Sequence, residues 1–174
     1  EIKVIDSADG APATVTFTGT ITADTLTVGT SSKAGAALFQ EAVTVPTINI
    51  TGGNIDAEDS TATFNKAVTS SSGITLDDNT GVTKVIFAAN NSVDITGTID
   101  GASSGEGTIQ VTGATKTFKS AIGSTSVGTL DIDATPIFES TVGATTIDIA
   151  GSVTATFNDA ITATTIALNG SSTL

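Results

Sequence analysis

Phe64-Asn-Lys-Ala-Val68 and Phe157-Asn-Asp-Ala-Ile161 are nearly the same phrase, although they lie far apart in a chain of 174 residues. Three more copies stand in the sequence: Phe39-Gln-Glu-Ala-Val43, Phe118-Lys-Ser-Ala-Ile122 and Phe138-Glu-Ser-Thr-Val142. Phe17-Thr-Gly-Thr-Ile21 is a looser sixth. With Phe87 they include every Phe of the chain, at spacings of 22, 25, 23, 31, 20 and 19 residues. After each of the six phrases comes an apolar-x-apolar beat: Leu26-Thr-Val28, Ile48-Asn-Ile50, Ile74-Thr-Leu76, Leu130-Asp-Ile132, Ile147-Asp-Ile149 and Ile166-Ala-Leu168. A third strand leads into the next Phe, as in Thr61-Ala-Thr63-Phe64. Around Phe87 the pattern is irregular: Val93-Asp-Ile95 arrives early, and the Gly-rich stretch from Gly101 to Gly107 swells that repeat, so an inserted coil is expected around residues 87–117.

A recurrence of this length has a physical reading. Each repeat holds three short strands of period-2 alternation, separated by Gly, Ser, Asn or Asp turn residues. Some 20 residues cannot bury an apolar face alone, whereas stacked copies can. If each repeat is one coil, successive coils lie about 4.8 Å apart and equivalent side chains form ladders. The expected fold is therefore all-β, a β-solenoid of about seven coils forming one segment over residues 1–174. Its core ladder is Phe17, Phe39, Phe64, Phe87, Phe118, Phe138 and Phe157, all in one phase. A β-sandwich also alternates, but it has no reason to repeat one phrase six times.

Composition agrees and excludes several classes of activity. Thr is present in 35 copies and Gly in 18, a β-branched, turn-rich mixture poor in helix formers. Leu, Ile, Val and Phe make up a quarter of the chain, enough for a core and against disorder. There is no Cys, His, Arg, Trp, Tyr or Met, so the usual zinc sites and the Ser-His-Asp and Cys-His machineries have no imidazole or thiolate to work with. The formal charge of −12 argues against nucleic acid, and no run of apolar residues is long enough to span a membrane. A glycoside-cleaving acid pair would need a groove, for which the 101–107 stretch offers only Glu106. The expectation is that the chain is not an enzyme.

The chain opens at Glu1 without a leader, the mark of a mature or excised piece, and its last repeat, from Leu168 to Leu174, stops before the next Phe. With no polar cap in sight, the solenoid is expected to continue beyond residue 174 or to stack on a neighbouring subunit.

The stretch Thr156-Phe-Asn-Asp-Ala-Ile-Thr-Ala-Thr-Thr-Ile-Ala-Leu-Asn-Gly170 resembles repeats of bacterial autotransporter passenger domains. It is also similar to those of S-layer and large adhesin proteins, the rickettsial outer-membrane antigens among them. The likeness covers most of the chain from residue 14 onward and lies in the style of repeat. It implies secretion, a bacterial cell-surface location, and a role in lattice, sheath or attachment, with no catalytic residues to carry over. The expected function is an extracellular structural protein of a surface layer, sheath or filament that self-associates. An adhesin passenger fragment is the alternative, and an ice-binding solenoid the next. The expected partners are copies of itself, with host or surface glycans or other surface proteins as further candidates.

Two residue sets carry site expectations. Asp77-Asp78-Asn79 sits at a turn, as do Asp6 to Gly10 and Asp56 to Asp59, where oxygen ligands can converge on Ca²⁺. Asp131, Asp133 and Asp148 fall at equivalent places in adjacent repeats, and a ladder of like charges invites a cation. Asp77, Asp78, Asp131, Asp133 and Asp148 are thus the candidate Ca²⁺ ligands, against the plain reading that Asp is a turn former. Thr14-x-Thr16, Thr61-x-Thr63, Thr115-x-Thr117 and Thr154-x-Thr156 each precede a Phe and should stack on one outer face, the feature an ice-binding surface would use. That ladder is broken before Phe39, Phe87 and Phe138, and Lys116, between two of the threonines, should point to the opposite face. Lys116, Lys119 and Lys66 are candidates to pair with acids of a neighbouring subunit.

Overall fold

The structure, a computed structural model, describes residues 1–6, 11–55 and 58–171. Of the acidic turns, Asp9, Gly10 and Asp56 lie outside the described residues, as do the last three residues of the final repeat. The described chain is all-β, built of parallel strands stacked as a solenoid of about seven turns. The first two coils comprise β1 (Ile2–Val4), β2 (Thr14–Phe17), β3 (Ile21–Thr22), β4 (Thr25–Val28), β5 (Ala36–Phe39) and β6 (Val43–Thr44). The next two comprise β7 (Thr47–Thr51), β8 (Ser60–Phe64), β9 (Val68–Thr69), β10 (Ile74–Asp77), β11 (Thr83–Phe87) and β12 (Val93–Thr96). The fifth holds β13 (Ile99–Gly101), β14 (Glu106–Val111) and β15 (Lys116–Phe118). The rest is β16 (Ile122–Ile132), β17 (Ile137–Phe138), β18 (Val142–Ile149), β19 (Thr156–Phe157) and β20 (Ile161–Leu168).

Each coil presents three faces. Face A is the ladder β1-β4-β7-β10-β13, face B is β2-β5-β8-β11-β14, and both continue into β16, β18 and β20. Face C is β3-β6-β9-β12-β15-β17-β19. In β16 the corner between faces A and B disappears: Ile122 pairs with Ile99 on A, while Val127 to Ile132 pair with β14 on B. Partners along face B consequently stand 22, 25, 23, 24, 21, 17 and 19 residues apart, and the coils tighten toward the C-terminal end.

Alternation places one apolar column or more inside each face. On face A the column runs Ile2, Leu26, Ile48, Ile74, Ile99, Ile122, Val142, Ile161. On face B it runs Phe17, Phe39, Phe64, Phe87, Val111, Ile132, Ile149, Leu168. Face C carries Ile21, Val43, Val68, Ile95, Phe118, Phe138, Phe157. All but Leu168 belong to one core or pack against it.

The seven Phe therefore do not share one face. Four lie on face B and three on face C. The ring stack itself is continuous: neighbouring rings from Phe17 to Phe87 lie 5.0 to 5.8 Å apart and near parallel. Those from Phe118 to Phe157 lie 4.9 and 4.7 Å apart. Between Phe87 and Phe118 the rings meet edge to face at 84° and 5.3 Å, and there the stack crosses from one sheet to the other. The interval of 31 residues is one coil plus one face. Its extra length is strand β14, whose Val111 occupies the column place of a Phe; Gly101 to Gly107 form the end of β13, a short turn and the start of β14.

The recurring phrase encodes a tight three-residue corner. Before the crossing it joins face B to face C, and after it joins C to A. The hydrogen bonds are the same in both places. Asn65 N–H donates to Phe39 O and Val43 N–H to Ala67 O; beyond the crossing Glu139 N–H donates to Phe118 O and Val142 N–H to Ala160 O. The sequence repeat has been rotated by one face about the rod.

Candidate functional site

No pocket opens among the described residues, so the places where chemistry could reside are the corners and the outer faces. The most polar is the corner between faces A and B in coils two to five, at residues 29–35, 52–55 with 58–59, 78–82 and 102–105. Glu58 is buried there with no exposed surface. Its Oε1 lies 3.5 Å from Lys33 Nζ of the preceding coil, and its Oε2 accepts from Asn54 N–H at 3.0 Å. Ser60, equally buried, donates to Thr51 O at 2.6 Å and accepts from Gly35 N–H at 3.0 Å. The stacked loops approach so closely that only glycine fits at their contacts: a Cβ on Gly52 would come within 1.8 Å of Gly81 O.

The carboxylates of these turns bind main chain of the next coil. Asp59 Oδ1 accepts from Val82 N–H at 2.9 Å, and Asp100 Oδ1 from Thr125 N–H at 3.1 Å. Asp78, one of the expected calcium ligands, uses both oxygens: Oδ1 accepts from Thr83 N–H and Oγ1 at 2.6 Å, and Oδ2 from Gly107 N–H at 2.8 Å. Asp77 ends β10, in register with Thr51.

The other three expected ligands lie on the outside of face B and beyond its end. Asp131 and Asp148 are direct register partners on β16 and β18. Asp133 accepts from Gln110 Nε2 at 2.8 Å, and Asp148 accepts from Asn169 Nδ2 at 2.5 Å. Burial, then the charges of Asp133 and Asp148, raise the Asp131 carboxyl above its ordinary range, with Lys84 and the Gln110 hydrogen bond opposing. Among the described residues no three acidic side chains are grouped so as to hold a metal ion. Asp78 already accepts three N–H and O–H donors, and Asp131 and Asp148 are the two candidate carboxylates that the register sets side by side.

The lysines separate into two kinds. Lys119 lies 2.8 Å from Glu139 Oε1 and 4.0 Å from Asp94, which, led by the Glu139 hydrogen bond, hold its ammonium above the usual pKa. Lys116 points inward, as alternation requires, and is wholly buried, so it cannot meet a neighbouring subunit. Its Nζ donates to Ala89 O at 2.8 Å, to Thr112 O at 2.7 Å and to Ala114 O. Burial lowers its pKa to about 8.

The threonine pairs do not line one face. Thr14, Thr16, Thr61 and Thr63 belong to face B, whereas Thr117 and Thr156 belong to face C. The column that Thr14 and Thr61 share on face B is broken by Ala36 between them and by Lys84 before it reaches Thr108, Thr129, Thr146 and Thr165. Sequence reading placed Glu58 in an acidic turn without its burial and missed the buried Ser60, Ser70 and Thr83; for Ser60 and Thr83 the available signal was a small polar residue at a strand start. Compared with protein-family models, with curated proteins and with solved structures, the chain matches none. No helix among the described residues is long and apolar enough to cross a membrane.

Proposed function

We propose that this chain is a structural rod element of an extracellular bacterial surface layer, sheath or filament, and that it associates with copies of itself. The observation that carries the reading is the uninterrupted stack of apolar columns along three faces, with seven rings at 4.7 to 5.8 Å. A stack in which every coil grips the next is stiff along its axis and about 35 Å long for seven coils. Extended stiffness of this kind suits a scaffold. Association is supported by the last described coil, where Ile166 and Leu168, in core columns, are 41% and 50% exposed on a strand edge. Parallel strands of another copy would cover them.

Negative-stain electron microscopy of the purified chain, with and without millimolar Ca²⁺, tests this. Ordered filaments or sheets are expected in both conditions. Uniform short rods at every concentration would contradict self-association and favour the adhesin reading. Assembly only with Ca²⁺ would restore the acidic residues as ligands.

A further inference from the structure

Lys116 is the one fully buried cation among the described residues, and its three partners are all main-chain carbonyls. Its place in the coil is unusual. Lys116 is in register with Val93, and the same column continues into Pro136 and Ala155, both buried and uncharged. A buried lysine therefore stands where the neighbouring coils carry Val93 and Pro136, in the coil where the Phe stack changes face. Two corners between faces B and C meet there, residues 88–92 of one coil and 112–115 of the next. Gly113 takes φ of 78°, and a Cβ on it would come within 2.5 Å of Ala89 O. That turn brings the carbonyls of Thr112 and Ala114 to the same point as that of Ala89, which also accepts Ala114 N–H at 2.9 Å. Three carbonyl oxygens around one nitrogen match the three protons of an ammonium, the arrangement that a cation rather than an apolar group satisfies.

We propose that Ala89, Thr112 and Ala114 form a site for a primary ammonium ion, which Lys116 fills with its own tethered group to lock the one-face rotation of the repeat. Removing the side chain leaves three inward carbonyls facing a cavity that a small alkylammonium ion can enter. The site is independent of whether the rods assemble.

Chemical rescue tests it. Lys116→Ala should lower the melting temperature by roughly 10 °C, the scale for uncompensated buried polar groups in a chain of this size. Propylammonium chloride should then raise the melting temperature of the variant by several degrees more than that of the wild type. Tetramethylammonium chloride, which has no N–H to donate, should not. Lys116→Met, which fills the space and leaves the carbonyls unpaired, should be destabilised and unrescued. A Met variant that melts with the wild type, or equal responses of Lys116→Ala and wild type to propylammonium, would overturn the proposal. If neither variant folds, the wild type decides. The Lys116 nitrogen should give the NMR signal of a slowly exchanging protonated ammonium at neutral pH, and a neutral amine there contradicts the site.

Discussion

The first four coils and the last three use one sequence phrase to build different cross-sections. In the first four, the Phe lies on face B and the coil then makes its tight corner toward face C. Polar loops separate faces A and B in coils two to five, with Glu58, Ser60 and Asp78 stitching coil to coil. In the last three the Phe lies on face C, and beyond the fifth coil β16, β18 and β20 run through faces A and B without a loop. The lesson is that a repeat phrase specifies a local turn and its flanking core residues. Where that turn falls around the rod depends on the chain inserted before it, here one extra strand, β14.

The difference has energetic consequences. Phe64 is buried between two stacked rings in the first region, whereas Phe157 ends the stack in the second and is only half-buried. Phe64→Ala should cost about 4 kcal/mol and Phe157→Ala roughly half that, read as shifts in urea midpoint. Equal losses would mean that the stack does not grade from interior to end.

The polar corner is the next discriminator. Asp78→Ala removes acceptors for Thr83 N–H, Thr83 Oγ1 and Gly107 N–H. It should cost about 2 kcal/mol. Amide exchange should quicken around residues 78–83 and 107 and stay unchanged in β18 and β20; a uniform loss of protection would show that the two regions unfold as one unit.

The smallest effect belongs to the outer face of the second region. Asp131 has a folded pKa above its unfolded value, so the folded state binds more protons in that window and stability falls as pH rises through it. Asp131→Asn should therefore stabilise by about 0.5 kcal/mol at neutral pH, a modest gain because solvent screens the site. The gain should disappear in acid below the ordinary carboxylate range. A stabilisation that persists there would have to come from something other than charge.

The solenoid itself was legible in the sequence, because Phe, Val or Ile, and the apolar-x-apolar beat recur together and only stacking can bury them. Alternation also placed Lys116 on the inner side. The rotation was not legible: Phe118-Lys-Ser-Ala-Ile122 reads like Phe64-Asn-Lys-Ala-Val68, and nothing in either phrase says which face it joins. The 31-residue interval was a clue, but the Gly residues at 101–107 drew attention to a loop when the added element was a strand. The acidic turns were visible as turns, yet the N–H groups that Asp59, Asp78 and Asp100 bind on the next coil depend on a register that single-chain spacing does not fix.

The one-face rotation can be tested directly because the chain contains no cysteine. Asp94 and Thr117 are register partners on face C, whereas Ile86 pairs with Gln110 on face B. Under mild oxidation the double variants Asp94→Cys/Thr117→Cys and Ile86→Cys/Gln110→Cys should both form intrachain disulfides, adjacent parallel strands being within reach. Ile86→Cys/Thr117→Cys should not. A single Phe phase would instead set Ile86 beside Thr117, so cross-linking of that third pair, with failure of the first, would contradict the rotation.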